Sequence, residues 1–163
     1  MKKLFSLILV AVLATVSLSA KPYKVAIGIV AGFQEGVGLK VNPIERLTLL
    51  EELSYDFVPT APVAYSGIID HFNVAYQHKP ISGQGIDFSW YAGGGMSIGY
   101  VDAFNVGKIG FNAVGGIEAN MSNAPIAFTF DFRPGYALLF DATGYANTFD
   151  WSLTLGVRYT IPK

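Results

Sequence analysis

The stretch Phe149-Asp150-Trp151-Ser152-Leu153-Thr154-Leu155-Gly156-Val157-Arg158-Tyr159-Thr160-Ile161 alternates without a break between bulky apolar residues and small or polar ones. Successive side chains of an extended strand point to opposite faces. One face therefore carries Phe149, Trp151, Leu153, Leu155, Val157, Tyr159 and Ile161, and the other Asp150, Ser152, Thr154, Gly156, Arg158 and Thr160. Residues 126–140 repeat the pattern, with Ile126, Phe128, Phe130, Phe132, Pro134, Tyr136, Leu138 and Phe140 opposite Ala127, Thr129, Asp131, Arg133, Gly135 and Ala137. Residues 88–100 set Phe88, Trp90, Met96, Ile98 and Tyr100 against Ser89, Tyr91, Gly93, Gly95, Ser97 and Gly99. Five weaker segments, 23–32, 36–42, 47–57, 68–77 and 106–120, bring the number of predicted strands to eight.

Composition says which way these strands face. Of the 163 residues 52% are hydrophobic and only 14% charged, too few charges to cover a soluble domain of this size. The same values exclude disorder. There is no Cys, which removes disulfides, thiolate metal sites and cysteine nucleophiles. The N-terminus reads as a secretory signal peptide over residues 1–20: Met1-Lys2-Lys3 is basic, Leu4 to Val16 apolar, and Ser17-Leu18-Ser19-Ala20 a small-residue cleavage site. Removing Lys2 and Lys3 from eleven basic residues leaves nine against twelve acidic, a net charge near −3 with no basic tract for nucleic acid.

Residues 21–163 are then expected to form one all-β domain, an eight-stranded antiparallel up-and-down transmembrane β-barrel. No later apolar run is long enough for a spanning helix. Strands facing hydrocarbon must close on themselves, because an open edge leaves backbone groups unpaired in lipid. A soluble lipocalin-like barrel is the competing geometry, but it needs an apolar cavity and a polar outside. Residues 43–54 are the least regular part. Strict alternation turns Glu51 outward with Leu47, Leu49, Leu53, Tyr55 and Phe57, which a bulge near Leu50 would relieve. Alternatively Asn42-Pro43-Ile44-Glu45 starts a short helix. The strand is the expectation.

The glycine-rich Tyr91-Ala92-Gly93-Gly94-Gly95, the run Gly110 to Glu118, Asp131-Phe132-Arg133-Pro134-Gly135-Tyr136 and Leu155-Gly156-Val157-Arg158-Tyr159 resemble small OmpA-like and opacity-type outer-membrane barrels. That resemblance implies a bacterial outer-membrane location, contact with outer-membrane lipids and lipopolysaccharide, and a role in the cell envelope. Thr154, Gly156, Tyr159 and Ile161 resemble the terminal-strand signal read by the barrel-assembly machinery, although Ile161-Pro162-Lys163 replaces the usual terminal aromatic.

Alternation places Lys40, Glu52, Glu118, Asp131, Arg133 and Arg158 in the lumen beside His71, Asn73, Gln77, Asn112 and Thr129. Three positive and three negative charges in a narrow lumen are expected to pair, as a polar plug or as a rearranging ion path. One rim collects Glu35, Asp56, Asp70, Asp102, Asp141 and Asp150 with Lys108, and is a candidate for holding divalent cations against lipopolysaccharide phosphates. The other rim collects Lys24, Lys40, Arg46, Lys79, Arg158 and Lys163. The longest outer loop, 58–67, has the length of an ordinary connection, with presentation of Tyr65 to a partner as the alternative. Tyr23, Phe57, Tyr76, Phe88, Tyr100, Phe140, Phe149 and Tyr159 suit interfacial girdles. Only His71 and His78 offer a base. His71 has no Ser two positions on and His78 no acid beside it, so neither catalysis nor a cofactor or metal is expected. A structural or interaction barrel is the leading function, ahead of a small ion-conducting channel and, further behind, a lipid-A-modifying barrel enzyme or a soluble lipocalin-like ligand binder.

Overall fold

A computed structural model describes residues 23–58, 65–78, 80–102, 104–142 and 144–162. The segment 1–20 read as a signal peptide, the loop residues 59–64, Lys79 and Lys163 lie outside the described residues. The described chain is all β: β1 Tyr23–Gly32, β2 Gln34–Ile44, β3 Leu47–Val58, β4 Tyr65–Gln77, β5 Ile81–Ser82, β6 Ile86–Val101, β7 Val106–Met121, β8 Ile126–Phe140 and β9 Tyr145–Pro162. No helix occurs among these residues, so none is long and apolar enough to cross a membrane.

Every pairing is antiparallel, in the order β4-β3-β2-β1-β9-β8-β7-β6, and β4 also pairs with β6. Eight strands thus form a closed hydrogen-bonded ring, with the two-residue β5 appended to β6. Closure satisfies the edges that an open sheet would expose. The path of paired residues Gly28, Gly38, Glu52, His71, Ser97, Gly110, Ala137 and Thr148 reaches β9 ten residues away from Arg158, the residue that pairs with Gly28. With strands about 4.8 Å apart and a rise of about 3.3 Å per residue, that stagger tilts the strands by about 40° and sets a backbone radius of about 8 Å. Such a ring encloses space for side chains and little else.

The alternation of the sequence is the alternation of the ring. Ile29, Phe111, Tyr136 and Leu155 are each over 60% exposed on the outer face, whereas Lys40, Glu52, Lys108, Asp131 and Arg158 are fully buried inside. Phe132 and Tyr136 of β8 pack beside Trp151 and Phe149 of β9 with ring centroids 6.5 and 5.4 Å apart. Residues 43–54 contain no helix. β3 runs straight through Leu50, which is buried, and Glu51 faces outward between Leu39 and Phe72 with no bulge to turn it in. The irregularity lies instead between Val41 and Ile44, next to the turn where Arg46 takes a left-handed φ of 72°. Strands also run further than expected: β2 starts at Gln34, β4 at Tyr65 and β9 at Tyr145.

Candidate functional site: the charged interior

Glu52, on β3, is the hub of the interior. Its Oε1 accepts a hydrogen bond from Arg158 Nη2 at 2.5 Å, and its Oε2 lies 2.5 Å from Arg133 Nη1. Arg133 Nη2 donates to Asp131 Oδ2 at 3.1 Å, and Arg158 Nη1 to Thr129 Oγ1 at 2.6 Å. Tyr91 OH also donates to Asp131. Gly116 makes room for that contact: a Cβ there would lie 2.6 Å from Cζ of the Tyr91 ring and collide with the Asp131 carboxylate.

Toward the β2–β3 turn, Glu118 gathers a second layer. Lys40 Nζ donates to Glu118 Oε2 at 2.5 Å and Tyr23 OH to the same oxygen at 2.6 Å. Asn120 Nδ2 and Gln77 Nε2 donate to Oε1 at 2.8 and 3.1 Å. Lys40 Nζ also stands 4.6 Å from the centroid of the Tyr91 ring, within cation–π range.

The opposite end holds a third layer. Lys108 Nζ donates to Asp150 Oδ2 at 2.7 Å, and Tyr65 OH donates to the same oxygen at 2.7 Å. Asp56 receives Ser54 Oγ at 2.6 Å and lies 2.8 Å from His71 Nε2, with Lys108 Nζ 4.0 Å away. Tyr65, Val101 and Leu139 pack together above this layer with Val106 against them. A small cavity lies between the first and third sets of charges, lined by Gln34, His71, Ser97, Asn112, Arg133 and Ser152 among others.

All six residues expected in the lumen are therefore inside and ion-paired. Several other assignments need correction. Asp56, Asp150 and Lys108 are interior residues and not parts of an acidic rim; Lys40 and Arg158, also read as rim residues, are fully buried. Tyr65 is buried against Asp150 and presents nothing to a partner, and Tyr23 points at Glu118 instead of sitting in an outer girdle. Asp56, Asp150, Lys108, Lys40 and Arg158 fall within the expected strands and keep the inward phase right to the strand ends; Tyr65 falls in an expected loop whose end β4 takes over, and Tyr23 is turned inward at the irregularity between Tyr23 and Val25. Lys108 is in phase with Asn112 and Asp56 with Glu52, a parity the sequence carried. His71 has an acid partner in Asp56, whereas His78 stacks on Trp90 at 5.4 Å. Of the terminal-strand residues, Thr154 and Gly156 face inward, and Tyr159 and Ile161 outward between β1 and β8.

Chemically this is a set of buried ion pairs that tie β2, β3, β7, β8 and β9 together across the ring. Among the described residues no group of three or more His, Asp or Glu side chains is arranged to hold a metal ion. Comparison with protein-family models, curated proteins and solved structures returns no match. The class defined by the fold and site is an antiparallel ring of eight strands with an apolar outside and an ion-paired inside.

Proposed function

We propose that the chain is an integral outer-membrane β-barrel of the bacterial cell envelope, of the small OmpA-like kind, with a structural or interaction role and a plugged lumen. The observation that carries this reading is the inverted polarity of the ring. Large apolar side chains stand on the outside, and Lys, Arg, Asp and Glu fill the inside. In water that arrangement forfeits the hydrophobic effect on the outer face and desolvates ions within. In a bilayer the same outer face meets hydrocarbon, and the closed ring leaves no strand edge in lipid. On this reading residues 1–20 are the export signal, outer-membrane lipids and lipopolysaccharide are the surroundings, and the last strand is read by the assembly machinery.

The plug is favoured over a small channel because two barriers lie in series. Glu52 is clamped by two arginines, and Tyr65, Val101 and Leu139 form an apolar seal beyond it. The deciding experiment is membrane fractionation of a host with an outer membrane, followed by gel mobility of unboiled and boiled protein. A fast-running unboiled band in the outer-membrane fraction is expected; a soluble protein with no heat shift would overturn the proposal.

A further inference from the structure

The interior ion pairs do not balance. Among the described residues they involve five carboxylates, Glu52, Asp56, Glu118, Asp131 and Asp150, but only four lysines and arginines, Lys40, Lys108, Arg133 and Arg158. An uncompensated charge in so narrow a space is costly. The remaining ionisable partner in these contacts is His71, whose Nε2 lies 2.8 Å from Asp56 Oδ2. We infer that His71 is the fifth cation of the interior, and that release of its proton hands Asp56 over to Lys108 and loosens the closure beneath Tyr65.

The atoms around His71 give it two alternative partners. Gln34 Nε2 lies 2.9 Å from His71 Nε2 and 3.3 Å from Asp56 Oδ2. A protonated ring donates from Nε2 to Asp56, and Gln34 then serves the same carboxylate. Neutral imidazole keeps one of its two protons; in the tautomer that keeps it on Nδ1, the Nε2 lone pair faces Asp56, which is repulsive, and accepts from Gln34 Nε2 2.9 Å away. Gln34 is already tied by Oε1 to Arg133 Nη1 at 3.2 Å, so it joins the central layer to the outer one.

The remaining neighbours define the consequence. On β3, Glu52 pairs with His71 across the strands; on β6, the paired residue is the uncharged Ser97. Arg133 of β8, Asn112 of β7 and Asp150 of β9 line the same cavity as His71. Arg133 is held by Glu52 and Asp131, so the nearest cation left for a released Asp56 is Lys108, 4.0 Å away. Lys108 is the group that, with Tyr65 OH, closes over Asp150. Movement of Lys108 toward Asp56 withdraws it from beneath the Tyr65 ring, whose centroid lies 5.0 Å from its ammonium.

The test is an NMR titration of the His71 ring in the full, folded protein in detergent micelles. A charged ring at low pH is expected, giving way to a ring unprotonated at Nε2, with the Lys108 ammonium and Tyr65 ring signals shifting at the same midpoint. His71→Gln should abolish the coupled Lys108 and Tyr65 shifts. Should that variant not fold, the wild-type titration still decides. A ring neutral throughout, a proton found instead on Asp131, or a His71 titration that leaves Lys108 and Tyr65 unmoved would each overturn the inference. The micelle titration depends on the ring of strands alone. The functional consequence rests on the membrane reading: ion flux through vesicles carrying the protein should rise above the His71 midpoint. Failure to insert into vesicles would therefore count against the membrane reading and leave the titration result standing.

Discussion

Glu52 and Arg158 are 106 residues apart in the chain and 2.5 Å apart in the interior of the ring. The contact crosses the lumen from β3 to β9, and Arg133 approaches the other oxygen of the same carboxylate from β8. Such a clamp costs desolvation of every member and is repaid only while all members are present.

Glu52→Gln should therefore destabilise the fold by about 3–5 kcal/mol, since it leaves two buried guanidiniums sharing the single charge of Asp131. Denaturant unfolding of the detergent-folded protein measures this. A loss under about 1 kcal/mol, the level of an exposed pair, would show that the clamp contributes little.

Gly116→Ala should cost about 1–3 kcal/mol by forcing Tyr91 and Asp131 apart. Gly115→Ala is the control: it adds the same methyl group one residue away, where no atom lies within 4 Å. The two variants should separate clearly in thermal unfolding of the folded protein, with only the first losing stability.

Three acidic side chains, the exposed Glu35 and Glu51 and the half-buried Asp70, are in the outward phase of neighbouring strands β2, β3 and β4. If this face meets lipid, Glu51→Leu should stabilise the protein in bilayers by about 1–2 kcal/mol, less than the ~2–4 kcal/mol that a basic residue costs at the midplane. The same change in a water-exposed wall would gain nothing and would lower solubility. Unfolding in vesicles discriminates between the two.

Replacing Tyr65 and Leu139 together by Ala removes the apolar seal and the hydroxyl that donates to Asp150. Below the His71 midpoint, planar-bilayer recordings should show small conductance steps for this double variant and a closed baseline for the parent chain. Equal baselines would mean that the Glu52 clamp seals the lumen alone.

Much of this architecture is legible in the residue order. Period two along residues 126–140 and 149–161 leaves no face ambiguous, because bulky aromatics and small polar residues never exchange sides. The same parity put Lys40, Glu52, Glu118, Asp131, Arg133 and Arg158 inside. The same parity turns Asp56, Lys108 and Asp150 inward, but their places near strand ends suit a charged rim as well, and only their paired partners across the ring decide between the two.

Local pattern determines which face a side chain takes, since that depends only on the pleat of its own strand. Partner choice is a different matter. Whether Glu52 meets Arg133, Arg158 or Lys40, and whether Tyr65 faces solvent or Asp150, depends on the stagger accumulated around eight strands. One residue of slip between any two of them would turn every inward side chain of a strand to the outside. Register is decided when the ring closes, where the pairing of β4 with β6 and of β1 with β9 must agree with all the others at once. Residue order is enough to specify an apolar wall around a charged interior; which charges touch is set by closure of the ring.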